Sequence, residues 1–333
     1  MNVLIRAHLE AGTGYGQHVE HTARQLERHG HQVRFQALNQ GRRLPQFFAD
    51  RLTDGEEADQ VIQISPPFSP CPPGAIYCTT WESDVFPAVC VAHLAPARLV
   101  ITNSRFIAQA FVRSGVHAPV HVVALGVCPA EYHPIHEPPI ECRFGLVVNL
   151  THSPHRKNIQ GAIGAFRLAF ANDPDVSLTI KINRLDTFDH PGDPGITLIK
   201  GTFSTEQMRW FYNSLTCLVS ASMAEGFGLC PLQAMACGRP AIATTYGGHT
   251  EYLDPTVGYP VGYELVQPDW YEGGGNLALP SVPSMASQMR AVYEDRSSAI
   301  AKGAAALRRA RAFSWDQYGD RLVELIASTA STE

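Results

Sequence analysis

The stretch AEGFGLCPLQAMACGRPAIATTYGG, residues 224–248, decides the fold class. One carboxylate, Glu225, comes directly before a Gly-Phe-Gly turn, and a mostly apolar run follows it. Pro231 suits the first turn of a helix, and Gly238 suits its end. The apolar run at 239–245 is typical of a buried strand. A glycine-rich turn, a short helix and a buried strand in succession indicate a parallel sheet covered by helices.

The rest of the chain repeats this alternation. Short apolar runs predict strands, and apolar residues at helical spacing predict helices. The predicted strands are 2–5, 31–38, 60–64, 75–81, 98–104, 120–126, 143–150, 177–183, 196–201, 216–222 and 239–245. The predicted helices are 17–30, 105–115, 158–171, 204–215, 284–311 and 313–328. Ser204 and Gln207 have the spacing of a capping box, which supports the helix that they begin.

A proline-rich segment, 128–142, interrupts the alternation and is the best candidate for a linker. We therefore predict an α/β protein of the GT-B kind, with two Rossmann-like β/α/β domains at 1–140 and 141–311. A C-terminal helix at 312–333 is predicted to cross back to the first domain. Open α/β sheets bind ligands at the carboxyl ends of their strands, so we expect the two domains to face a central cleft.

The composition is that of a globular protein without a broad basic face. The 333 residues carry a formal charge of −5, which disfavours extended binding to nucleic acid or to an anionic membrane. No apolar run reaches the ~18–20 residues of a membrane span, and the start, MNVLIRAH, reads as a strand rather than a signal peptide. Eight cysteines without a CxxC pair favour free thiols in a cytoplasmic protein.

Two histidine pairs, His18 with His21 and His152 with His155, invite a metal interpretation. No carboxylate or cysteine stands at a convincing ligand spacing from either pair. We therefore predict no metal site.

Glycines 12, 14 and 16 lie in the loop EAGTGYG, residues 10–16, between the first strand and the first helix. Glycine lets backbone N–H groups approach a phosphate or a sugar closely, and a helix N-terminus adds partial positive charge. The spacing G-x-G-x-G differs from the dinucleotide pattern, and the second strand ends at Leu38 and Asn39 without a carboxylate for a ribose. A flexible turn is the alternative interpretation.

Arg156 and Lys157 follow the first strand of the second half and precede a helix. Two cations at the carboxyl end of a strand suit a diphosphate. A solvated pair of charges is the alternative.

Glu225 raises a question of electrostatics. Gly226 and Gly228 free the backbone at a helix start, so that its N–H groups can face a phosphate. A carboxylate repels that phosphate, but it can accept hydrogen bonds from hydroxyl groups attached to it. Gln233, about two turns later, leans back toward the helix start and can reach a second set of hydroxyls. Hydroxyls on both sides of a diphosphate describe a nucleotide sugar; a carboxylate that only stabilises a helix start is the alternative.

The sequence from 224 to 253 resembles the signature of the family-4 retaining glycosyltransferases of the GT-B fold. That signature is Glu, seven residues, Glu, with glycines after the first Glu and a Gly-Pro step after the helix. Further similar segments are HRKNIQGAIGAFRLAF (155–170), TNSRFIAQAFVRSGV (102–116), VVALGVCPAEYHP (122–134) and FSWDQYGDRL (313–322). The resemblance covers most of the chain and is strongest between residues 143 and 255.

The resemblance implies that the second domain binds the donor nucleotide sugar and that the first domain selects the acceptor. Glu225 matches the family's glutamate that contacts the donor sugar. Gln233 matches the second glutamate, which holds the ribose. Lys157 matches the lysine that binds the diphosphate. The residues implied as catalytic are Glu225, Lys157 and Arg156; as donor-binding Gly14, Gly16, Thr151, Gly226, Phe227, Gly228, Leu229 and Gln233; and as acceptor-side Tyr15, Trp81 and Glu82.

The sequence departs from the family pattern at three places. Gln233 replaces the second glutamate. Thr151 stands where the family often has an arginine, for which Arg156 is the candidate substitute. Trp81 and Glu82 stand where many members have a histidine. The resemblance therefore defines the reaction more closely than the acceptor.

We predict a cytoplasmic, metal-independent, retaining glycosyltransferase without a cofactor, which moves a hexose or pentose from a UDP- or GDP-linked donor. In the family's front-face scheme, a phosphate oxygen of the leaving group takes the proton of the acceptor hydroxyl. The acceptor stays open between a glycan, a lipid, a small molecule and a modified nucleic-acid base. The alternatives are a sugar-nucleotide epimerase, a dehydrogenase, which the missing ribose carboxylate disfavours, and a non-catalytic nucleotide-sugar binder.

Overall fold

The computed structural model describes residues 1–10, 12–39, 44–53, 57–150, 153–171, 173–184 and 186–330. Contacts divide the chain into two compact units. The first unit contains Met1–Gly126, Gly273–Gly275 and Phe313–Glu333, and the second contains Val127–Glu272 and Asn276–Ala312. Among the described residues, no helix combines the length and the apolar character that a membrane span requires.

Strands and helices alternate through most of the chain. The strands are β1 (Asn2–Ala7), β2 (Gln32–Ala37), β3 (Gln60–Ile64), β4 (Ile76–Cys78), β5 (Leu99–Thr102), β6 (Val120–Val122), β7 (Cys142–Val147), β8 (Val176–Ile182), β9 (Ile196–Lys200), β10 (Cys217–Ser220), β11 (Ala241–Thr244), β12 (Tyr259–Val261), β13 (Tyr263–Val266) and β14 (Leu277–Pro280). The helices are α1 (Gly14–Arg28), α2 (Gln46–Ala49), α3 (Ala88–Leu94), α4 (Arg105–Arg113), α5 (Ile159–Phe170), α6 (Thr205–Asn213), α7 (Leu229–Ala236), α8 (Val282–Glu294), α9 (Arg296–Arg311) and α10 (Trp315–Ala330).

The first unit is built on a six-stranded parallel sheet in the order β2-β1-β3-β4-β5-β6. Its inner strands are mostly buried, with Ile5, Ile62 and Ile101 fully enclosed, whereas the edge strands β2 and β6 are only partly buried. Strands covered by helices on both faces need apolar side chains at successive positions. This is why short continuous apolar runs, rather than alternating ones, identified them in the sequence.

The C-terminal helix α10 packs on α1 within the first unit. The Tyr318 hydroxyl lies 2.8 Å from His18 Nε2 and 2.9 Å from Thr22 Oγ1, and the rings of His21 and Trp315 stack with 4.4 Å between centroids. Burial lowers the pKa of His18 to about 3 and that of His21 to about 4. Both histidines are therefore neutral core residues, and the described residues contain no cluster of metal-ligating side chains.

The second unit is built on a six-stranded parallel sheet in the order β12-β11-β10-β7-β8-β9. Its core joins alternate strand residues, such as Phe144, Leu178 and Ile180, to the inner faces of α5 and α8, including Phe166 and Met289. An antiparallel pair, β13 and β14, forms a separate small sheet. The predicted α/β fold with two parallel sheets is confirmed.

Several helix boundaries differ from the sequence prediction. Helix α1 begins at Gly14 rather than residue 17, because the Thr13 side chain accepts a hydrogen bond from Gly16 N and caps it. A Cβ at Gly16 would lie 1.7 Å from the backbone oxygen of Glu10, so this position requires glycine for close packing. The predicted helix at 284–311 is two helices that meet at Asp295. The capping box of Ser204 is present.

Residues 127–140, assigned to the first domain in the sequence analysis, pack in the second unit. The backbone N–H of Ile135 donates to Asn213 Oδ1 at 3.0 Å. The buried Arg239 guanidinium donates to the backbone oxygen of His136 at 3.0 Å. These contacts join residues far apart in sequence, so the proline-rich composition alone could not reveal them.

Candidate functional site

The candidate site lies at the carboxyl ends of two adjacent strands of the second unit. Strand β7 leads through a short 3-10 helix, Pro154–Lys157, into α5, and strand β10 leads through the 221–228 turn into α7. Because β7 and β10 are hydrogen-bonded neighbours, the loops that follow them meet. The sheet thereby brings together Lys157 and Glu225, which the sequence analysis assigned to one ligand.

Glu225 pairs with both cations of the 156–157 segment. Lys157 Nζ lies 2.6 Å from Glu225 Oε1, and Arg156 Nη1 lies 3.6 Å from the same oxygen. Burial by itself raises the pKa of Glu225, but Lys157, Arg156 and His249 outweigh it and hold the pKa of this carboxyl well below its usual range. Glu225 is therefore a carboxylate, and in this structure two cations of the protein balance its charge.

Arg156 is an internal residue. It is 7% exposed, and its guanidinium donates to the backbone oxygen of Ala224. Its own backbone oxygen accepts a hydrogen bond from Met223 N at 2.8 Å. Arg156 therefore fixes the backbone on both sides of the turn that carries Glu225. This geometry fits a positioning residue that acts on a ligand through Glu225.

Two glycine-rich turns pack against each other at the site. Gly248 N donates to Glu225 O at 2.8 Å, and a Cβ at Gly248 would lie 2.2 Å from Gly226 O and 2.3 Å from Phe227 Cα. Gly228, the N-cap of α7, has a φ of +87°. The close contact fixes the backbone at the start of α7, which has no side-chain cap and no acidic residue in its first turn. Such a helix start can receive an anion.

His249 and Tyr252 complete this packing, and the sequence analysis gave neither a role. His249 is 1% exposed, and its Nδ1 lies 3.2 Å from the backbone oxygen of Thr244. A carbonyl oxygen only accepts, so Nδ1 carries the proton and Nε2 is unprotonated; burial also lowers the pKa of this ring. The Tyr252 hydroxyl donates to Gly228 O. Both residues lie within the quoted family signature, but polar core residues carry no distinctive sequence pattern.

Gln233 lies on the buried side of α7. It is 4% exposed, and its Oε1 accepts a hydrogen bond from the Tyr212 hydroxyl at 3.1 Å. Leu229 begins the same helix, and the ring of Phe227 is buried against Tyr252, with 5.5 Å between centroids. A ribose role for Gln233 stays a prediction, and the structure adds that its carbonyl oxygen already has a partner in the fold. Thr151 lies outside the described residues.

The sequence-predicted residues of the first unit form their own group. Tyr15, in the first turn of α1, has its hydroxyl 3.4 Å from Thr79 Oγ1, and it accepts a hydrogen bond from Thr80 N at 3.2 Å. Burial, opposed in part by these bonds, raises the pKa of Tyr15. Tyr15, with Gly14 beside it, therefore joins α1 to the loop after β4, which continues to Glu82.

Trp81 is a core residue of the first unit. It is 3% exposed, its indole N–H donates to Ser83 Oγ at 2.9 Å and to Val85 O at 2.7 Å, and its ring packs edge-on against Phe86. Any effect of Trp81 on an acceptor would therefore pass through the packing of the loop that carries Glu82.

Comparison with known proteins shows which proteins the part of the chain that carries this site resembles. Residues 143–294 match the family model described as "Glycosyl transferases group 1". The chain is 33% identical over 116 residues to a D-inositol 3-phosphate glycosyltransferase of Kineococcus radiotolerans, and 33% identical over 118 residues to one of Catenulispora acidiphila. These alignments cover 34% and 35% of this chain. The chain spans only 25% of the length of each of these curated relatives.

Solved structures resemble the whole chain. A sucrose-phosphate synthase from Thermosynechococcus elongatus aligns over 100% of both chains with a TM-score of 0.73 and 15% identity. HepE from Anabaena, solved with UDP and glucose, aligns over 98% of this chain and 100% of its own with a TM-score of 0.70 and 16% identity. These likenesses show the GT-B fold. The family match covers residues 143–294, just under half of the chain.

Proposed function

We propose that this chain, whose second unit carries a group 1 glycosyltransferase segment, is a retaining glycosyltransferase that uses a nucleoside diphosphate sugar. The observation that carries the proposal is the ion pair of Lys157 and Glu225 beside the uncapped start of α7. A lysine and free backbone N–H groups suit a diphosphate, and a carboxylate within reach of them suits the hydroxyls of an attached sugar. A site for phosphate alone would gain nothing from Glu225.

In this proposal the donor replaces the contact between the two charged side chains. The diphosphate accepts hydrogen bonds from Lys157 and from the N–H groups of the first turn of α7, while the sugar hydroxyls donate to Glu225. Each charged group then exchanges one partner for another, so neither is left buried and unpaired. The amide of Gln233 is proposed to face the ribose, after it gives up or shares its contact with Tyr212.

The proposed reaction keeps the configuration of the sugar. The bond between the anomeric carbon and the diphosphate oxygen breaks, and the acceptor oxygen bonds to the same carbon on the same face. A leaving phosphate oxygen takes the acceptor's proton. Lys157 and the α7 N–H groups stabilise the negative charge that develops on the diphosphate, which is the usual way in which fixed donors lower such a barrier. We propose that no metal ion or cofactor takes part.

For the donor and the acceptor we propose classes of compound rather than single compounds. UDP- or GDP-linked hexoses or pentoses are the proposed donors; HepE, with the same fold, was solved with UDP-glucose. A glycan, a lipid, a small molecule or a modified nucleic-acid base is the proposed acceptor, with Tyr15 and Glu82 on its side. The names of the two curated relatives add D-inositol 3-phosphate to the compounds to test. A cytoplasmic location is also proposed, because all eight cysteines are free thiols.

A thermal-shift screen of UDP-, GDP-, ADP- and dTDP-sugars tests the donor. A donor at a hundred times its Kd should add about 2.7 kcal/mol to the free energy of unfolding. The stabilising donor is then incubated with an acceptor panel, and NMR of the anomeric proton reports the configuration of the product. Transfer with inversion would contradict the retaining mechanism. Isomerisation of the donor without an acceptor would favour an epimerase, and binding without transfer or hydrolysis would favour a binding protein.

A further inference from the structure

Lys181, on strand β8, is a buried cation with few partners. It is 5% exposed. Its ammonium donates to Asn183 Oδ1 at 3.0 Å and lies 5.3 Å from the centre of the Phe203 ring. Within the described residues, no carboxylate oxygen lies within 4.0 Å of it. An ammonium has three donors and no acceptor, and among the described residues one hydrogen-bond acceptor, Asn183 Oδ1, contacts that of Lys181.

Keeping this charge inside the protein costs stability. Burial lowers the pKa of Lys181, and the charges of Cys230 and Asp186 only partly oppose that effect. The Asp186 carboxylate accepts hydrogen bonds from the backbone N–H groups of Leu150 and Asn183, each at 3.0 Å. Costly buried charges are typical of sites that serve a ligand rather than the fold.

The direction of the side chain follows from the strand. Its neighbours Ile180 and Ile182 belong to the core that faces α5 and α8. Successive side chains of a strand point to opposite faces, so Lys181 points to the other face. That face carries Phe203, which lies two residues before α6. Cys230, which interacts electrostatically with Lys181, lies in the first turn of α7. Lys181 therefore lies on the side of the sheet where the proposed diphosphate site begins.

The order of the strands sets the order of the groups along the site. Four strands are neighbours in the order β10, β7, β8 and β9. Glu225 follows β10, and Lys157 follows β7. Lys181 lies on β8, and Phe203 follows β9. Adjacent strands lie roughly 4.8 Å apart. Lys181 is thus one strand beyond the diphosphate residue Lys157, on the side away from the sugar residue Glu225. A nucleotide sugar that runs along this edge places its nucleoside over β8 and β9.

We propose that Lys181 is a specificity-determining residue that donates a hydrogen bond to a carbonyl oxygen of the donor's base. The inference rests on the proposed function. An ammonium only donates, so it favours a base with an exocyclic oxygen, such as uracil or guanine, over adenine, which presents an amino group. Phe203 supplies an apolar ring beside the ammonium, against which a base can pack.

Calorimetric titration with UDP, GDP, ADP and pyrophosphate tests the inference on the full chain. The variant is Lys181→Met, and the control is Lys200→Met, which removes an exposed lysine at the end of β9. The wild type should prefer UDP or GDP to ADP. Lys181→Met should weaken the preferred ligand by roughly 10–100-fold, the usual worth of a charge-assisted hydrogen bond. Its affinity for ADP and pyrophosphate, and all affinities of the control, should change little.

The melting temperature of the ligand-free variant is the second measurement. Lys181→Met should melt at a higher temperature than the wild type, because a desolvated charge has been replaced by an apolar side chain of similar length. A lower melting temperature with equal loss of every ligand would assign Lys181 a structural role. Equal loss of UDP, GDP and ADP in a stable variant would mean that it contacts the ribose or a phosphate, and would also overturn the inference.

These outcomes separate the inference from the proposed function. If the wild type binds no nucleoside diphosphate, both the proposed function and the inference are contradicted. A wild type that binds UDP, GDP and ADP equally, with no effect of Lys181→Met on any of them, overturns the inference alone.

Discussion

Lys157 and Glu225 form an ion pair in the second unit, with 2.6 Å between Nζ and Oε1. Both side chains are mostly buried, at 17% and 19% exposure. Each one therefore screens the charge of the other, and a ligand must compete with this contact before it gains from either. A ligand with a negative part and a hydroxyl-bearing part satisfies both groups at once, whereas a bare anion must leave Glu225 without its partner.

Replacement of Glu225 should separate the two parts of the ligand. Glu225→Ala frees Lys157 for the diphosphate, so affinity for the bare nucleoside diphosphate should stay unchanged or improve. Transfer should fall by about a hundredfold, or about 2.7 kcal/mol of transition-state stabilisation. Calorimetry with the diphosphate and with the intact donor, together with initial rates, measures both effects. A variant that loses the bare diphosphate as strongly as the donor would show that Glu225 is not the partner of the sugar.

A double-mutant cycle should show that the ion pair contributes to stability. Lys157→Met or Glu225→Gln alone leaves a mostly buried charge without its nearest partner and should cost about 1–3 kcal/mol. The double variant should lose less than the sum of the two, as chemical denaturation can measure. Lys157→Met should also weaken nucleoside diphosphate binding roughly 10–100-fold. If the affinity of Lys157→Met for the nucleoside diphosphate is unchanged and the two stability effects are additive, Lys157 is a solvated charge without a role in binding.

Stability should depend on pH through Glu225. Burial opposes ionisation, but Lys157 and Arg156 outweigh it and hold the folded-state pKa below the ordinary value of 4.5. The folded state then binds fewer protons than the unfolded chain, so the stabilisation is complete above pH 4.5 and declines as the pH falls toward the folded-state pKa. The difference in melting temperature between wild type and Glu225→Gln should be constant from pH 6 to 8 and should shrink below about pH 4.5. A difference independent of pH would contradict the ion pair.

Gly248→Ala should disturb the start of α7. The new Cβ would meet the backbone at Gly226 and Phe227, and backbone atoms cannot move aside as a flexible side chain does. We expect a loss of about 1–3 kcal/mol of stability and weaker binding of the diphosphate. Gly262→Ala, whose Cβ has no neighbour closer than 3.6 Å, is the matched control. Equal behaviour of the two variants in denaturation and calorimetry would refute the tight contact between the turns.

Removal of metal ions should leave transfer intact. Lys157 and the α7 N–H groups are proposed to neutralise the leaving diphosphate, and the described residues offer no cluster of metal-ligating side chains. Activity should therefore persist in EDTA. Complete loss on chelation, restored by Mn²⁺ or Mg²⁺, would instead place a cation on the diphosphate.

The sequence predicted β1 to β11 because these strands are short apolar runs between turn residues, a local property. It missed β12, at the edge of the second sheet, and the antiparallel pair β13 and β14. It predicted α7 through Pro231 and Gly238, and the capping box of Ser204 in the same way. Glu225 and Lys157 were candidates through their place beside glycines and at a strand end. The sequence could not show that they contact each other, because that requires the register of β7 against β10.

Other features depend on long-range packing and left no local pattern. Lys181 stands inside SLTIKIN, where a single lysine in an apolar run looks like an edge or surface position. His249 gave no indication that its ring would fill the space beside Gly228. Gly14 and Gly16 suggested a loop, but the cap from Thr13 extends α1 through them.

The construction of the first unit has a consequence for biosynthesis. Helix α10 packs on α1 through Tyr318, and 300 residues of sequence separate His18 from that tyrosine. The face of α1 that contacts α10 can therefore be covered only after the residues up to Tyr318 have left the ribosome. At ~5–20 residues per second, the nascent first unit spends many seconds with that face of α1 uncovered. The emerging chain should be most vulnerable to aggregation and proteolysis during that interval, and pulse proteolysis of stalled nascent chains should detect it.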